Sequence, residues 1–184
     1  NGTFGENQEQ ITLLTYGRIF SITRQAMVND DLSAFTRAPA AFGFAASRLE
    51  SDIVWALITG NVTLADGNAL FDSANHGNDV GSLTSLGVAA LQALRELARQ
   101  QKGIDNATAS TSFLNVDLVH LRVPEQLELE AQQLTSSIQA QVSTNVNPFQ
   151  GSFQSVMAEP RLGADDAGKF YMAANPGAID TIEY

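Results

Sequence analysis

Residues 29–61 read NDDLSAFTRAPAAFGFAASRLESDIVWALITGN, and this stretch decides the fold more than any other part of the chain. Short acceptors and anions at 29–31 predict a helix start, because they cap free N–H groups at the positive end of a helix. Apolar residues then recur every three or four positions, which predicts one long helix over about 31–59, ended by Gly60 and Asn61. The apolar stripe consists of Phe35, Ala38, Phe42, Ala45, Leu49, Ile53 and Leu57.

Two further features of this helix concern its shape and its surface. Pro39 lies within the pattern and lacks a backbone N–H, so we expect either a kink or a short, separate first turn. The charged side chains fall largely off the apolar stripe, where they form either a solvated face or a contact with another subunit. We interpret them as candidate subunit-interface charges: Arg37, Arg48, Glu50 and Asp52.

The chain on either side of this helix mixes extended and helical patterns. Residues 11–24 are rich in Ile, Thr and aromatic residues and predict extended structure, whereas 60–82 hold many Gly and Asp residues and predict a loop region. This mixture predicts an α+β fold rather than repeated βαβ units. The other predicted elements are a short strand at 69–71, a helix at about 84–101 capped by Ser82 or Thr84, a strand at 113–123, a helix from Pro124 to about 138, and strands at 153–158, 170–173 and 180–184.

Composition excludes several classes of function. The chain has 184 residues and a formal charge of -10, which excludes the basic surface that a phosphate-gripping nucleic-acid protein needs and argues against docking on an anionic membrane. The absence of cysteine excludes disulfides, thiolate metal sites and cysteine nucleophiles, and it fits a reducing cytosol. No apolar run approaches the roughly 18 residues of a membrane span. The low charged fraction, 16%, favours large protein–protein interfaces, because interface cores are depleted in charge.

The two histidines test any catalytic or metal-binding hypothesis. His76 lies in a loop with Asp72 and Asp79, a set of nitrogen and oxygen ligands for a metal, but an exposed polar loop explains the same residues more simply. His120 lies within a predicted strand, where a hydrogen-bonded core histidine is the simpler interpretation. The pair Asp165 and Asp166 is explained by a turn. We therefore predict no catalytic residue, no metal ligand and no cofactor.

Around the long helix the sequence resembles the major capsid proteins of tailed bacteriophages, with the Mu-like prophage heads as the nearest group. Proteins of this group are often encoded as fusions with a ClpP-like prohead protease. The resemblance covers about residue 10 to the end, and its strength lies in the shared order of short motifs. These motifs are YGRIFSITRQA at 16–26, NDDL at 29–32, AFTR at 34–37, LADG at 64–67, ALF at 69–71, HGN at 76–78, KG at 102–103, NPF at 147–149, EPRL at 159–162, AANP at 173–176 and DTIEY at 180–184.

The resemblance implies the HK-97-like capsid fold. On that template residues 1–24 correspond to the end of the E-loop and its return strand, 25–82 to part of the P domain with the spine helix at about 31–59, and 83–184 to the A domain. Family members extend further in both directions, so we expect this chain to be truncated at both ends. The family often has His at the position of Asp72, and a metal site built on two loop histidines would lose a ligand here.

The implied function is that of a structural protein, not an enzyme. The resemblance implies self-assembly into pentamers and hexamers of an icosahedral head shell, with a prohead protease or scaffold as partner during assembly. The shell would enclose phage DNA without sequence-specific binding, would involve no membrane, and would be assembled in the bacterial host cytoplasm as part of the virion. Two alternatives remain open: an encapsulin-like shell of a cellular compartment, and a small hydrolase that uses His76 with Asp72 or Asp79.

Overall fold

A computed structural model describes residues 15–19, 21, 23–28, 34–81, 85–103, 113–136 and 149–177 of the chain. The chain divides into two compact units, one formed by Glu9–Gly60 and the other by Asn61–Tyr184 together with Asn1–Gln8. None of the described helices combines the length and the apolar content that a membrane span requires. The division into E-loop, P domain and A domain, inferred from the resemblance, stays a prediction.

Most of the described residues of the first unit belong to one long helix. Helix α1 spans Arg24–Val28 and helix α2 spans Ala34–Thr59. The prediction of extended structure up to residue 24 is wrong at its last position, because Arg24 begins α1. The long helix is confirmed, whereas 29–33, which hold its predicted start, lie outside the described residues.

Helix α2 continues through Pro39 and ends where the sequence predicts. Pro39 is the sixth residue of the helix as it is described, and the helix is continuous on both sides of it, so Pro39 does not separate a first turn. At the other end, the N–H of Gly60 donates to the carbonyl of Ala56 at 3.0 Å. Asn61 follows with φ at 43°, the left-handed conformation that commonly ends a helix.

The second unit is built on a three-stranded mixed sheet. Strand β1 (Leu118–Val123) lies in the centre, pairs in parallel with β2 (Ser155–Ala158) and pairs antiparallel with β3 (Tyr171–Ala174). Because side chains alternate along a strand, Leu121 and Val123 share the buried face, and His120 lies on the opposite face. The predicted strands at 113–123 and 153–158 are confirmed with shorter bounds, and the strand predicted at 170–173 is confirmed one residue later; 180–184 lies outside the described residues.

Three α-helices accompany the sheet within the described residues. Helix α3 spans Val88–Gln100, α4 spans Glu128–Thr135 after one turn of 3₁₀ helix at Glu125–Leu127, and α5 spans Pro160–Asp165. The predicted helix at 84–101 begins later, at Val88, and Gly87 precedes it without a side-chain cap. The residues predicted as its cap, Ser82 and Thr84, lie outside the described residues. Helix α5 was not predicted from the sequence.

The core of the second unit forms where α3, α4 and one face of the sheet meet. Leu91 of α3 and Leu121 and Val123 of β1 are fully buried, and Ala131 of α4 joins them. Burying a leucine side chain stabilises a fold by roughly 1.5–3 kcal/mol, so these few residues supply much of the unit's stability. Partly buried apolar residues surround the cluster: Leu127, Leu134, Phe153, Val156, Phe170 and Met172.

Arg95 extends this core on the side of α3. Its guanidinium lies 4.7 Å from the ring centroid of Phe149 and 5.2 Å from that of Phe153. An Arg95 nitrogen also donates to the carbonyl of Ser152 at 3.4 Å. A cation placed over aromatic rings is attracted by their negative faces. These contacts of Arg95 therefore hold residues 149–153, which precede β2, against α3.

Candidate assembly surface

The apolar surface of α2 is the most unusual feature of the described structure. Among the α2 side chains whose exposure is described, residues 37–59, none is buried. Phe44 is 69% exposed, Leu57 44% and Leu49 38%. Most of the stability of a protein helix comes from packing its apolar face against something, and large exposed apolar patches mark interaction sites. A 26-residue helix that buries none of these side chains within its own chain is therefore suited to contacts with other chains.

Helical geometry separates the four predicted interface charges into two groups. Arg48 and Asp52 are one turn apart on the same side of α2, and Arg37 lies on that side too, because 3.6 residues make a turn. Glu50 lies two residues from each of the first pair, about 200° around the axis. All four side chains are exposed. The four charges were predicted as one set, but Arg37, Arg48 and Asp52 lie on one side of the helix and Glu50 lies on the opposite side. Their role at a subunit interface stays a prediction.

Phe44 and Trp55 belong to the side of α2 that carries Arg48. Phe44 precedes Arg48 by four residues and Trp55 follows it by seven, and both spacings place side chains on the same side of a helix. Neither residue therefore belongs to the predicted apolar stripe. Trp55 is half-buried, and Phe44 is the more exposed. Plotting every apolar residue around the helix axis, instead of following the single richest stripe, would have found both.

The loop between residues 61 and 81 gives His76 hydrogen-bond partners other than the carboxylates predicted from the sequence. Nε2 of His76 lies 2.9 Å from Oδ2 of Asp66, and Nδ1 lies 3.3 Å from the carbonyl oxygen of Leu70. Asp72 instead accepts hydrogen bonds from the backbone N–H groups of the two residues at 74 and 75, and Asp79 accepts one from the N–H of residue 81. Both ring nitrogens of His76 are therefore hydrogen-bonded to groups other than Asp72 and Asp79, the residues on which the metal and hydrolase alternatives depend.

Side-chain amides hold this loop in shape. Asn61 exchanges two hydrogen bonds with the backbone of Phe71, at 2.6 and 3.1 Å, and Asn78 donates to the carbonyl of Leu70 at 2.7 Å. The predicted strand at 69–71 is reduced to a single bridge between Thr63 and Ala69. The loop is thus ordered by specific side-chain hydrogen bonds, whereas the sequence led us to expect only an exposed polar loop.

His120 is hydrogen-bonded within the sheet, as the simpler interpretation predicted, but it does not lie in the core. Its Nδ1 lies 2.8 Å from Oγ of Ser155, which also accepts a hydrogen bond from Arg122 at 3.0 Å. His120 is half-buried, on the sheet face opposite Leu121. Across the part of the chain that the structure describes, no three His, Asp or Glu side chains come close enough together to hold a metal ion.

The comparison with protein families decides how this exposed helix is understood. The model of one family, described as phage capsid protein, matches residues 6–184. The chain belongs to the phage capsid protein family. A search of curated proteins and a search of solved structures each gave no match. The match confirms the resemblance to bacteriophage capsid proteins that was drawn from the sequence, and the mixed helix and strand content agrees with an α+β capsid protein.

Membership of the family gives the exposed apolar helix a reason. Phage capsid proteins are structural proteins whose copies form a shell, so an apolar surface left open in one copy can be covered by another. Membership also implies a location in the virion. The match does not favour the alternative of a cellular compartment shell, and the non-enzymatic interpretation agrees with a structural family.

In this capsid protein the contact between His76 and Asp66 predicts a pH-dependent loop. The hydrogen bond to Asp66 raises the pKa of His76 above 6.5, and hydrogen bonds, above all from the side chain of Asn68, lower the pKa of Asp66 to about 2. The contribution of His76 is complete below pH 6.5 and is lost as the pH rises through its raised pKa. The contribution of Asp66 is complete above pH 3.8 and is lost as the pH falls toward 2. Both contributions are complete between pH 3.8 and 6.5, so the loop is most stable in that range.

NMR titration of the His76 imidazole measures this coupling directly. In Asp66→Asn we expect the pKa of His76 to return toward 6.5, because the charged acceptor is gone. Asp79→Asn is the control, since Asp79 bonds the N–H of Gly81 within the same loop. An unchanged His76 titration in Asp66→Asn would contradict the contact.

Proposed function

We propose that this protein is the major capsid protein of a tailed bacteriophage and that its copies self-assemble into the icosahedral head shell that encloses phage DNA. The observation that carries the proposal is the partial exposure of Leu49 and Leu57, two leucines of the apolar stripe of α2, in a chain that belongs to a capsid family. A closed shell repeats each contact many times, so contacts of modest strength suffice for a stable container.

The proposal assigns the chain to the HK-97-like arrangement. Residues 1–24 form the end of the E-loop and its return strand, 25–82 belong to the P domain with α2 as the spine helix, and 83–184 form the A domain. The α2 surfaces then lie between subunits of the shell, and Arg37, Arg48, Glu50 and Asp52 border those contacts. The resemblance to Mu-like heads supports a prohead protease or scaffold as partner during assembly in the bacterial host cytoplasm.

The acidity of the chain suits a container wall. With a formal charge of -10, the subunit lacks the cationic surface that would hold DNA by its phosphates. We propose that the DNA is enclosed without sequence-specific binding, since a wall that does not adhere to its contents leaves them free to enter and leave.

Electron microscopy of the chain, expressed alone and together with a candidate prohead protease or scaffold, tests the proposal. We expect closed shells, or rings of five and six subunits, in at least one of these conditions. Sedimentation velocity on the same samples measures how much of the protein is assembled. Absence of every assembled form under all conditions would overturn the proposed function.

A further inference from the structure

One side of α2 carries a pattern that is centred on the middle of the helix. Its residues recur at alternating spacings of four and three, the spacing of a coiled-coil seam. The seam is centred on position 50 of the chain, between Arg48 and Asp52, and residues at equal distances from that centre differ in size or in charge sign. The seam consists of Ala41, Ala45, Arg48, Asp52, Trp55 and Thr59.

From this pattern we infer that α2 pairs antiparallel with α2 of a second copy about a two-fold axis at position 50. Such a pairing places Arg48 opposite Asp52 of the partner subunit, and by symmetry Asp52 opposite Arg48 of the partner subunit. The charges are complementary only in the antiparallel arrangement, because in a parallel pair Arg48 would face Arg48 of the partner subunit. Both side chains are exposed within one chain, so a second copy can reach them.

The sizes of the side chains fit the same axis. Trp55 comes opposite Ala45 of the partner subunit, and Phe44, at the border of the seam, comes opposite Ala56 of the partner subunit. A large side chain facing a small one allows two helices to approach closely and interlock. Phe44 is 69% exposed in one copy, which is the state that such a contact would change.

The central ion pairs also define the register of the pairing. A slip of one turn would move Arg48 opposite an apolar or like-charged position, so the charged layer acts as a polar residue does within a coiled-coil seam. The inference rests on the proposed function, since it names the partner of α2 as a second copy of the same chain. It goes further by fixing the orientation, the axis and the contacting residues.

Two charge reversals test the pairing by complementation between chains. Arg48→Asp alone sets the new carboxylate against that of Asp52 in the facing copy, and Asp52→Arg alone sets the new guanidinium against that of Arg48. We expect each variant to associate about tenfold more weakly than the wild type, because like charges then repel. An equimolar mixture brings an all-acidic seam against an all-basic one, so association should recover to at least the wild-type level in a one-to-one complex.

Recovery in the mixture separates this contact from one within a single helix. Arg48 and Asp52 are also neighbours along the same helix, and mixing chains leaves any repulsion within each helix unchanged. The control is a mixture of Arg37→Asp with Asp52→Arg, because Arg37 lies on the same side of α2 but outside the seam. That mixture should not recover.

Sedimentation velocity and native mass spectrometry, with one of the two chains mass-labelled, measure the amount and the composition of the complex. A mixture of Arg48→Asp and Asp52→Arg that associates no better than its components would overturn the pairing, as would a wild-type chain that stays monomeric. Shells formed by Arg48→Asp with wild-type efficiency would remove the pairing and leave the proposed function standing. Absence of shells from the wild type under all conditions would instead remove the proposed function.

Discussion

Leu49→Gln combined with Leu57→Gln is expected to abolish shell formation and to leave the subunit folded. Both leucines lie on the apolar stripe of α2 and are partly exposed in one copy, 38% and 44%. If a neighbouring copy covers the exposed part of each side chain, each substitution removes from that contact less than half of the roughly 1.5–3 kcal/mol that full burial of a leucine supplies. In a closed shell that loss recurs at every copy, so a moderate weakening of one contact removes the whole assembly.

The choice of glutamine separates assembly from folding. Glutamine has nearly the same helix propensity as leucine, so circular dichroism should show unchanged helix content in the variant. Ser47→Gln is the control, because it adds a glutamine on the side of α2 roughly opposite the stripe and about a quarter turn around the axis from Arg48. Electron microscopy should show shells for the control and none for the stripe variant. Normal shells from Leu49→Gln/Leu57→Gln would contradict a role for the stripe.

Leu91→Ala should lower the free energy of unfolding of the second unit by about 2–5 kcal/mol. Leu91 is fully buried between α3 and the sheet, in the cluster that also contains Leu121 and Val123. Replacing it with alanine removes apolar contacts and leaves a cavity that close-packed neighbours fill only in part. A loss of this size is a large share of the roughly 5–15 kcal/mol that stabilises a typical domain.

Leu129→Ala provides the comparison for the core variant. Leu129 lies on α4 with 67% of its surface exposed, so its replacement should change the free energy of unfolding by no more than about 0.5 kcal/mol. Urea unfolding followed by far-ultraviolet circular dichroism measures both variants on the same scale, and it does not depend on Trp55, which lies in the other unit. Equal losses for the two leucines would show that the cluster around Leu91 is not the core of the unit.

Periodic patterns made the larger elements of this capsid protein predictable. The end of α2 at Thr59 follows from the apolar spacing and from Gly60, and β1 follows from a run of apolar and β-branched residues around Leu121. Helix α5 was not predictable in this way, since its six residues include Pro160 and Gly163 and are too few to show a period. Its start depends on the side chain of Glu159, which accepts a hydrogen bond from the N–H of Arg161 at 3.3 Å.

The partner of His76 illustrates a second limit. Asp72 and Asp79 are nearer in sequence, but Asp66 makes the contact because the chain turns between Leu64 and Asn68 and brings it back. Single-sequence spacing rules describe helices and strands, and they do not describe where an irregular loop returns. The apolar face of α2 was predictable from the sequence. The exposure of Phe44, Leu49 and Leu57 within one chain could be learned only from the folded structure.

The central position of β1 has a consequence for synthesis of the protein on the ribosome. Both neighbours of this strand, β2 and β3, follow it in the chain, so β1 leaves the ribosome with neither edge paired. At about 5–20 residues per second, roughly 2–7 s pass between emergence of Val123 from the ribosome and emergence of Ala158. During that interval the nascent chain displays Leu121 and Val123 on an open strand, the period in which a ribosome-associated chaperone would protect it most.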